Sequence, residues 1–173
     1  MGLVSGSTGH QPRSETTGGR QLTALYYDDF HVGDEFITPA RTITEADVVN
    51  FAGLSGDFNP LHTDEEFGKT TAFGGRIAHG LLGLVVSTGL KQRLAFSDGT
   101  VIAFLGLTWN FKGPIRIGDT IHVRLRIAEM RPTSKPDRGI IKHAVELVNQ
   151  KGEVVQDGEH ILMVRRRPQA TTE

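Results

Sequence analysis

One segment limits what this chain can become. "IAHGLLGLVVSTGL" (77–90) is its longest apolar stretch, and Ile77, Leu81, Leu82, Leu84, Val85, Val86 and Leu90 go right round a helical wheel instead of forming one stripe. A helix that is apolar on every side must be enclosed by lipid or by protein. This one is too short to span a bilayer and carries His79. Protein therefore has to enclose it, and no membrane partner is expected. Gly80, Gly83 and Gly89 each cost such a helix about 1 kcal/mol relative to alanine. That choice implies close approach of a sheet or a ligand to the helix backbone.

The second half of the chain supplies the cover. "TIHVRLRIAEM" (120–130) alternates with period two, placing Ile121, Val123, Leu125 and Ile127 on one face and His122, Arg124 and Arg126 on the other. "IIKHAVELV" (140–148) alternates likewise, "EHILMVR" (159–165) is strand-like and "VIAFLGLTWNF" (101–111) is rich in β-formers. "NQKG" (149–152) reads as a hairpin turn and "RPTSKPDRG" (131–139) as a longer connection. Antiparallel strands packed by one face on a buried helix make an α+β layer arrangement. An antiparallel sheet wrapped around one long central apolar helix is the hot-dog fold, and that is the expected architecture.

Upstream, "TEADVVNFAGLSG" (44–56) predicts a helix capped by Thr44 with Asp47 at its N3 position. Val48, Phe51 and Ala52 share one face, and Gly53 and Gly56 close it. Residues 63–74 read as short helical turns and loop. Residues 1–22, dominated by Gly, Ser, Thr and charged residues, read as a flexible leader without a signal-peptide core. A single domain is expected over 23–167, with a tail over 168–173. Net charge is −1 and cysteine is absent. No basic stripe points to nucleic acid, and Arg165, Arg166 and Arg167 read as a solvated tail. The lack of cysteine removes disulfides, thiolate metal sites and cysteine nucleophiles, and fits a reducing, cytoplasmic setting.

"SGDFNPLHTD" (55–64) carries the chemistry. Asp57 and His62 would point to different faces of a regular helix. Gly56 before them and Pro60 between them turn the chain, so both side chains can enter one pocket. A carboxylate and an imidazole on one water suit general acid–base chemistry. The plain reading of Asn59 is an Asx-turn onto its own backbone. His79 reads as a first-turn histidine bonded to the preceding loop. His122, His143 and His160 have no metal-ligand spacing and read as sheet-surface or core residues.

"SGDFNPLHTD" followed by "AFGGRIAHGLLGLVVSTGL" (72–90) resembles the MaoC-like, R-specific enoyl-CoA hydratase family of hot-dog proteins. The likeness covers most of residues 27–165 and is strongest over 51–90. It implies reversible syn addition of water to a trans-2-enoyl thioester, of CoA or of an acyl carrier, giving the (3R)-hydroxyacyl thioester. By that resemblance Asp57 and His62 hold and activate one water, and the Gly80 N–H stabilises the enolate. Thr88 stands where the family pattern has a serine that orients the aspartate, and Asn59 belongs with the substrate-binding set. The resemblance also implies no metal, no cofactor beyond the thioester substrate, and a homodimer or higher homo-oligomer. Lys91, Arg93, Arg116 and Arg131 are candidates to meet CoA phosphates. Two readings compete with hydration: a hot-dog thioesterase, which would leave His62 without a task, and a non-catalytic acyl-thioester-binding subunit.

Overall fold

The computed structural model describes residues 24–168. The expected leader (1–22) and all but the first residue of the expected tail (168–173) lie outside the described residues. Long antiparallel strands β3 (Val101–Phe111), β4 (Thr120–Pro132), β5 (Arg138–Val148) and β6 (Val154–Arg165) make most of one six-stranded sheet. Two short strands, β1 (Glu35–Ile37) and β2 (Arg41–Thr42), both pair with β4, and the order is β1-β4-β5-β6-β3. The first two were not legible as strands, being short and half-solvated. The Asn149–Gly152 turn joins β5 to β6, with Gly152 in the left-handed region that the turn demands.

Period-two alternation sets the core. Ile121, Val123, Leu125 and Ile127 of β4 are at most 2% exposed, and Ile141, Val145 and Leu147 of β5 are as deeply buried. Against this inner face lies α4 (Gly80–Gln92), with Leu82, Val86 and Leu90 turned to the sheet. This is the hot-dog arrangement that the sequence predicts. Fully burying one such aliphatic side chain contributes about 1.5–3 kcal/mol, so this layer dominates stability.

The helix differs from expectation in two respects. It begins at Gly80, because Ile77 is held extended by a bridge to Arg116, leaving His79 as the N-cap. It is also not enclosed on every side within one chain, since Leu81 is 57% and Val85 53% exposed. The glycines divide accordingly. A Cβ at Gly80 would sit 2.8 Å from the Phe111 ring, and one at Gly83 would sit 2.6 Å from Gln156 and Ile115. At Gly89 nothing lies within 4 Å, so the close approach expected there is not seen.

Helix α1 (Glu45–Ser55) starts as its sequence dictates: Thr44 Oγ1 accepts from the Asp47 N–H, and Asp47 Oδ2 accepts from the Thr44 N–H. It runs through Gly53 and stops at Gly56 alone, where φ is 75° and ψ is 5°. Two of the three C-terminal arginines, Arg166 and Arg167, are not a solvated tail, while Arg165 is exposed. Arg167 donates to both carboxylate oxygens of Asp29 at 2.9 Å, and its N–H donates to Asp28. The Arg166 and Arg167 guanidinium groups lie over the Tyr27 and Tyr26 rings. These contacts fasten the last strand to the 3-10 turn Tyr27–Asp29.

Candidate active site

The segment between α1 and α4 overhangs the N-terminal end of α4. It contains α2 (Pro60–Thr63) and α3 (Glu65–Thr70). Gly56 turns the chain out of α1, and Pro60 occupies the first helical turn of α2. Asn59 caps that helix, its Oδ1 accepting from the Leu61 N–H at 3.0 Å, the Asx-turn its sequence predicts. Asp57 Oδ1 in turn accepts from the Asn59 N–H at 3.2 Å. Asp64 caps α3 through the Phe67 N–H.

Arg76 ties this overhang down. Its guanidinium donates to both oxygens of Glu45 on α1, at 2.7 and 2.8 Å, and to Glu65 on α3 at 3.1 Å. The hydrogen bond from Arg76 holds the Glu45 carboxyl below its ordinary pKa, and the two carboxylates raise that of Arg76. Gly68 contributes a tight packing point, since a Cβ there would meet the backbone of Gly75 and Arg76 at 2.7 Å.

The kink brings Asp57 and His62 together. Ligand-type atoms of Asp57, His62 and His79 all lie within 4.8 Å of one another. Asp57 is exposed, His62 half-buried and His79 buried, so the cluster grades from solvent to core. The His62 Nδ1–H donates to the Ile77 carbonyl at 2.8 Å. A backbone carbonyl can only accept, so this bond places the proton on Nδ1 and leaves a lone pair on Nε2. By the same logic the His79 Nε2–H donates to the Asp57 carbonyl at 2.9 Å. That bond is the loop contact expected of a first-turn histidine. Two nitrogens are thus committed to backbone, while His62 Nε2 and the Asp57 carboxylate remain for chemistry.

His79 also does something that its sequence position did not announce. Its ring stacks on His62 with centroids 3.9 Å apart and 29° between planes, and Phe51 of α1 lies 5.0 Å behind it. One buried ring therefore fixes both the Asp57 backbone and the His62 orientation. The adjoining I-A-H-G run was the available signal.

The other expected positions are placed as follows. Gly80 opens α4, where first-turn N–H groups have no acceptor inside the helix, and its carbonyl accepts from Gln156 Nε2 at 2.9 Å. Thr88 is exposed on α4, and its hydroxyl donates to the Val85 carbonyl, not to Asp57. Ser87 faces the sheet, fully buried. Arg131 lines a shallow groove with Glu129, Lys142 and Ile161. Lys91 is not a surface cation available to phosphates: it is half-buried and donates to His160 Nδ1 beneath the helix. His143 and His160, spaced without metal-ligand pattern, are direct cross-strand partners on β5 and β6. That pairing depends on register, which spacing in sequence does not reveal.

A family model described as "MaoC like domain" matches residues 29–148. The chain is similar to a 3-hydroxybutyryl-CoA dehydratase from Methylorubrum extorquens, with 37% identity over 87% of this chain and 90% of the relative. An (R)-specific enoyl-CoA hydratase from Rhodospirillum rubrum is 35% identical, over 84% of this chain and 96% of the relative. Among solved structures, a protein from Archaeoglobus described as a monoamine oxidase regulatory protein superposes with a TM-score of 0.79. It is 34% identical, over 86% of this chain and 99% of that one.

Proposed function

Since the chain belongs to the MaoC-like domain family, we propose that it is a hydro-lyase adding water reversibly to a trans-2-enoyl-CoA to give the (3R)-hydroxyacyl-CoA. The observation that carries this reading is the shared site: the Asp57 carboxylate and the His62 imidazole within 4.8 Å, on the solvent side of a buried histidine. One water between them can lose a proton to one group while the other delivers a proton to the substrate α-carbon on the same face, which is what syn addition requires.

In this mechanism His62 Nε2 takes the proton of the water that attacks the β-carbon. Asp57 orients that water and relays the proton so taken, from His62 to the α-carbon, so that the OH and H of one water are both added. Negative charge developing on the thioester oxygen is met by the Gly80 N–H at the start of α4, aided by the positive end of the helix. Losing one such donor typically costs roughly 3 kcal/mol of transition-state stabilisation. Thr88 is left without a part in this scheme, since its hydroxyl donates to the Val85 carbonyl. The scheme needs no metal and no cofactor besides the thioester. The geometry favours hydration over thioester hydrolysis because His62 Nε2 is held ready with a free lone pair.

The working unit in this proposal is a homodimer. β3 forms an edge of the sheet, and Phe104, Leu105, Leu107 and Phe111 along it are 43–57% exposed, as are Leu81 and Val85 of α4. A long apolar edge strand left bare invites pairing with another strand, and a second copy supplies one. Among the described residues no helix is long and apolar enough to cross a membrane. We place the enzyme in the cytoplasm, which the cysteine-free sequence suits.

Incubation with crotonyl-CoA tests the function. Loss of the enoyl absorbance without release of free CoA supports hydration. Release of CoA with the double bond intact points to the thioesterase, and no turnover points to a binding subunit.

A further inference from the structure

Below the far end of α4 lies a polar cluster that the proposed reaction does not use. The Lys91 ammonium donates to His160 Nδ1. His160 is 0% and His143 2% exposed, and the two are register partners on the inner face of the sheet. An ammonium has donors only, so His160 Nδ1 must be the acceptor, and the His160 proton sits on Nε2. That Nε2–H is buried and has no partner, and neither nitrogen of His143 has one. No carboxylate pairs with Lys91 among the described residues, its partner being His160. The cluster therefore holds two unpartnered buried N–H donors, one on each histidine, beside an ammonium with no anionic partner among the described residues. Leaving such groups unpaired is costly, and more so beside a charge.

A row of β3 side chains runs from this cluster to the site of chemistry. On β3, Phe104, Leu107, Trp109 and Phe111 are the register partners of Leu162, His160, Gly158 and Gln156. They therefore share the inner face with the buried His160 and Gln156. Phe111 lies against Gly80. The Trp109 indole N–H donates to Gln156, which donates to the Gly80 carbonyl. Trp109 and Phe104 both touch the His160 ring, with centroids 5.4 and 5.2 Å away. Gly80, Leu84 and Lys91 recur at helical spacing along the half-buried flank of α4 that borders this wall. Lys91 Cα lies about 16 Å along the axis from Gly80, and a helical side chain leans back toward the N-terminus.

We propose that the acyl chain of the substrate runs from Gly80 along this aromatic wall of β3, and that Lys91, His160 and His143 receive a carboxylate at its far end. The preferred substrates are then enoyl-CoA thioesters of dicarboxylic acids, and this rests on the hydratase reading for the position of the thioester at Gly80. A carboxylate accepts from the unpartnered N–H groups and supplies the counter-charge that half-buried Lys91 is without. Burial lowers the Lys91 pKa to about 8, which leaves it mostly protonated near neutrality, while both histidines stay neutral.

Binding of saturated, unreactive ligands tests this apart from catalysis. Calorimetry on the full chain compares adipoyl-CoA with hexanoyl-CoA and suberoyl-CoA with octanoyl-CoA. The carboxyl-ended member of at least one pair should bind tenfold or more tighter. Lys91→Met should erase or invert that preference, and Lys91→Arg should retain it, each variant first checked for a native circular-dichroism spectrum and melting. Equal affinity within both pairs overturns the proposal, as does a preference that Lys91→Met leaves intact. If longer methyl-ended chains bind better to Lys91→Met while no dicarboxyl preference exists in the native chain, Lys91 only sets chain length and the proposal is wrong. Crotonyl-CoA turnover by the native chain is measured beside it. Failure there removes the hydratase reading, whereas a retained carboxylate preference would still support the subsite.

Discussion

The His79 ring stacks face to face on the His62 ring at 3.9 Å, and the same His79 side chain donates its Nε2–H to the Asp57 carbonyl. The residue that arranges the proposed catalytic pair is thus a third, buried residue on the N-cap of α4.

His79→Ala should act on orientation more than on binding. The substitution removes the stacking partner and the Asp57 anchor together. We expect kcat on crotonyl-CoA to fall roughly tenfold to a hundredfold, the range for a misaligned acid–base pair, with KM changed little. A change confined to KM would contradict the positioning role.

In the proposed mechanism Gly80 has two separable duties. Gly80→Ala places a Cβ 2.8 Å from the Phe111 ring, so we expect a loss of about 1–3 kcal/mol in urea unfolding. Pairing it with Phe111→Leu should restore most of that stability. Turnover should stay depressed in the double variant, because the added methyl still crowds the Gly80 N–H. Full recovery of turnover would reduce Gly80 to a packing glycine.

Stability in acid should depend on Arg76. The Glu45 pKa is depressed by Arg76, so this pair contributes above the ordinary glutamate value of 4.5 and is lost as pH falls through the folded value. Thermal melts of native and Arg76→Met chains should therefore differ near neutrality and converge as pH drops below 4.5. The buried histidines work in the same direction. Burial holds His143 and His160 near about 3 against an ordinary 6.5, so the unfolded chain takes up protons first and stability falls across that interval. His143→Leu should flatten part of that decline.

Much of this architecture is written in local pattern. Period-two alternation in β4 and β5, the Thr44–Asp47 capping box and the Asn149–Gly152 turn are all short-range signals, and each forms where the sequence places it. What the sequence hid is long-range. The pairing of His143 with His160 depends on the β5–β6 register, and the inward turn of Lys91 depends on which flank of α4 meets the sheet. Arg166 and Arg167 read as solvated because their partners, Asp28 and Asp29, lie at the other end of the described chain. The apolar wheel of α4 implies full enclosure, yet Leu81 and Val85 are bare, a face that one chain alone does not cover.

That bare face yields a prediction about assembly. Val85→Lys puts a charge on an exposed part of α4 where little internal packing is lost. Sedimentation should shift from dimer toward monomer, and kcat/KM on crotonyl-CoA should drop by at least tenfold. A native chain that sediments as a monomer with full activity would exclude the dimer.

The most direct measurement is hydration of crotonyl-CoA by the native chain beside Asp57→Asn and His62→Asn, each confirmed folded by melting. The account predicts that native protein consumes the double bond and forms the (3R) alcohol without freeing CoA, and that either substitution lowers kcat by about a hundredfold or more. Undiminished hydration in either variant would contradict it.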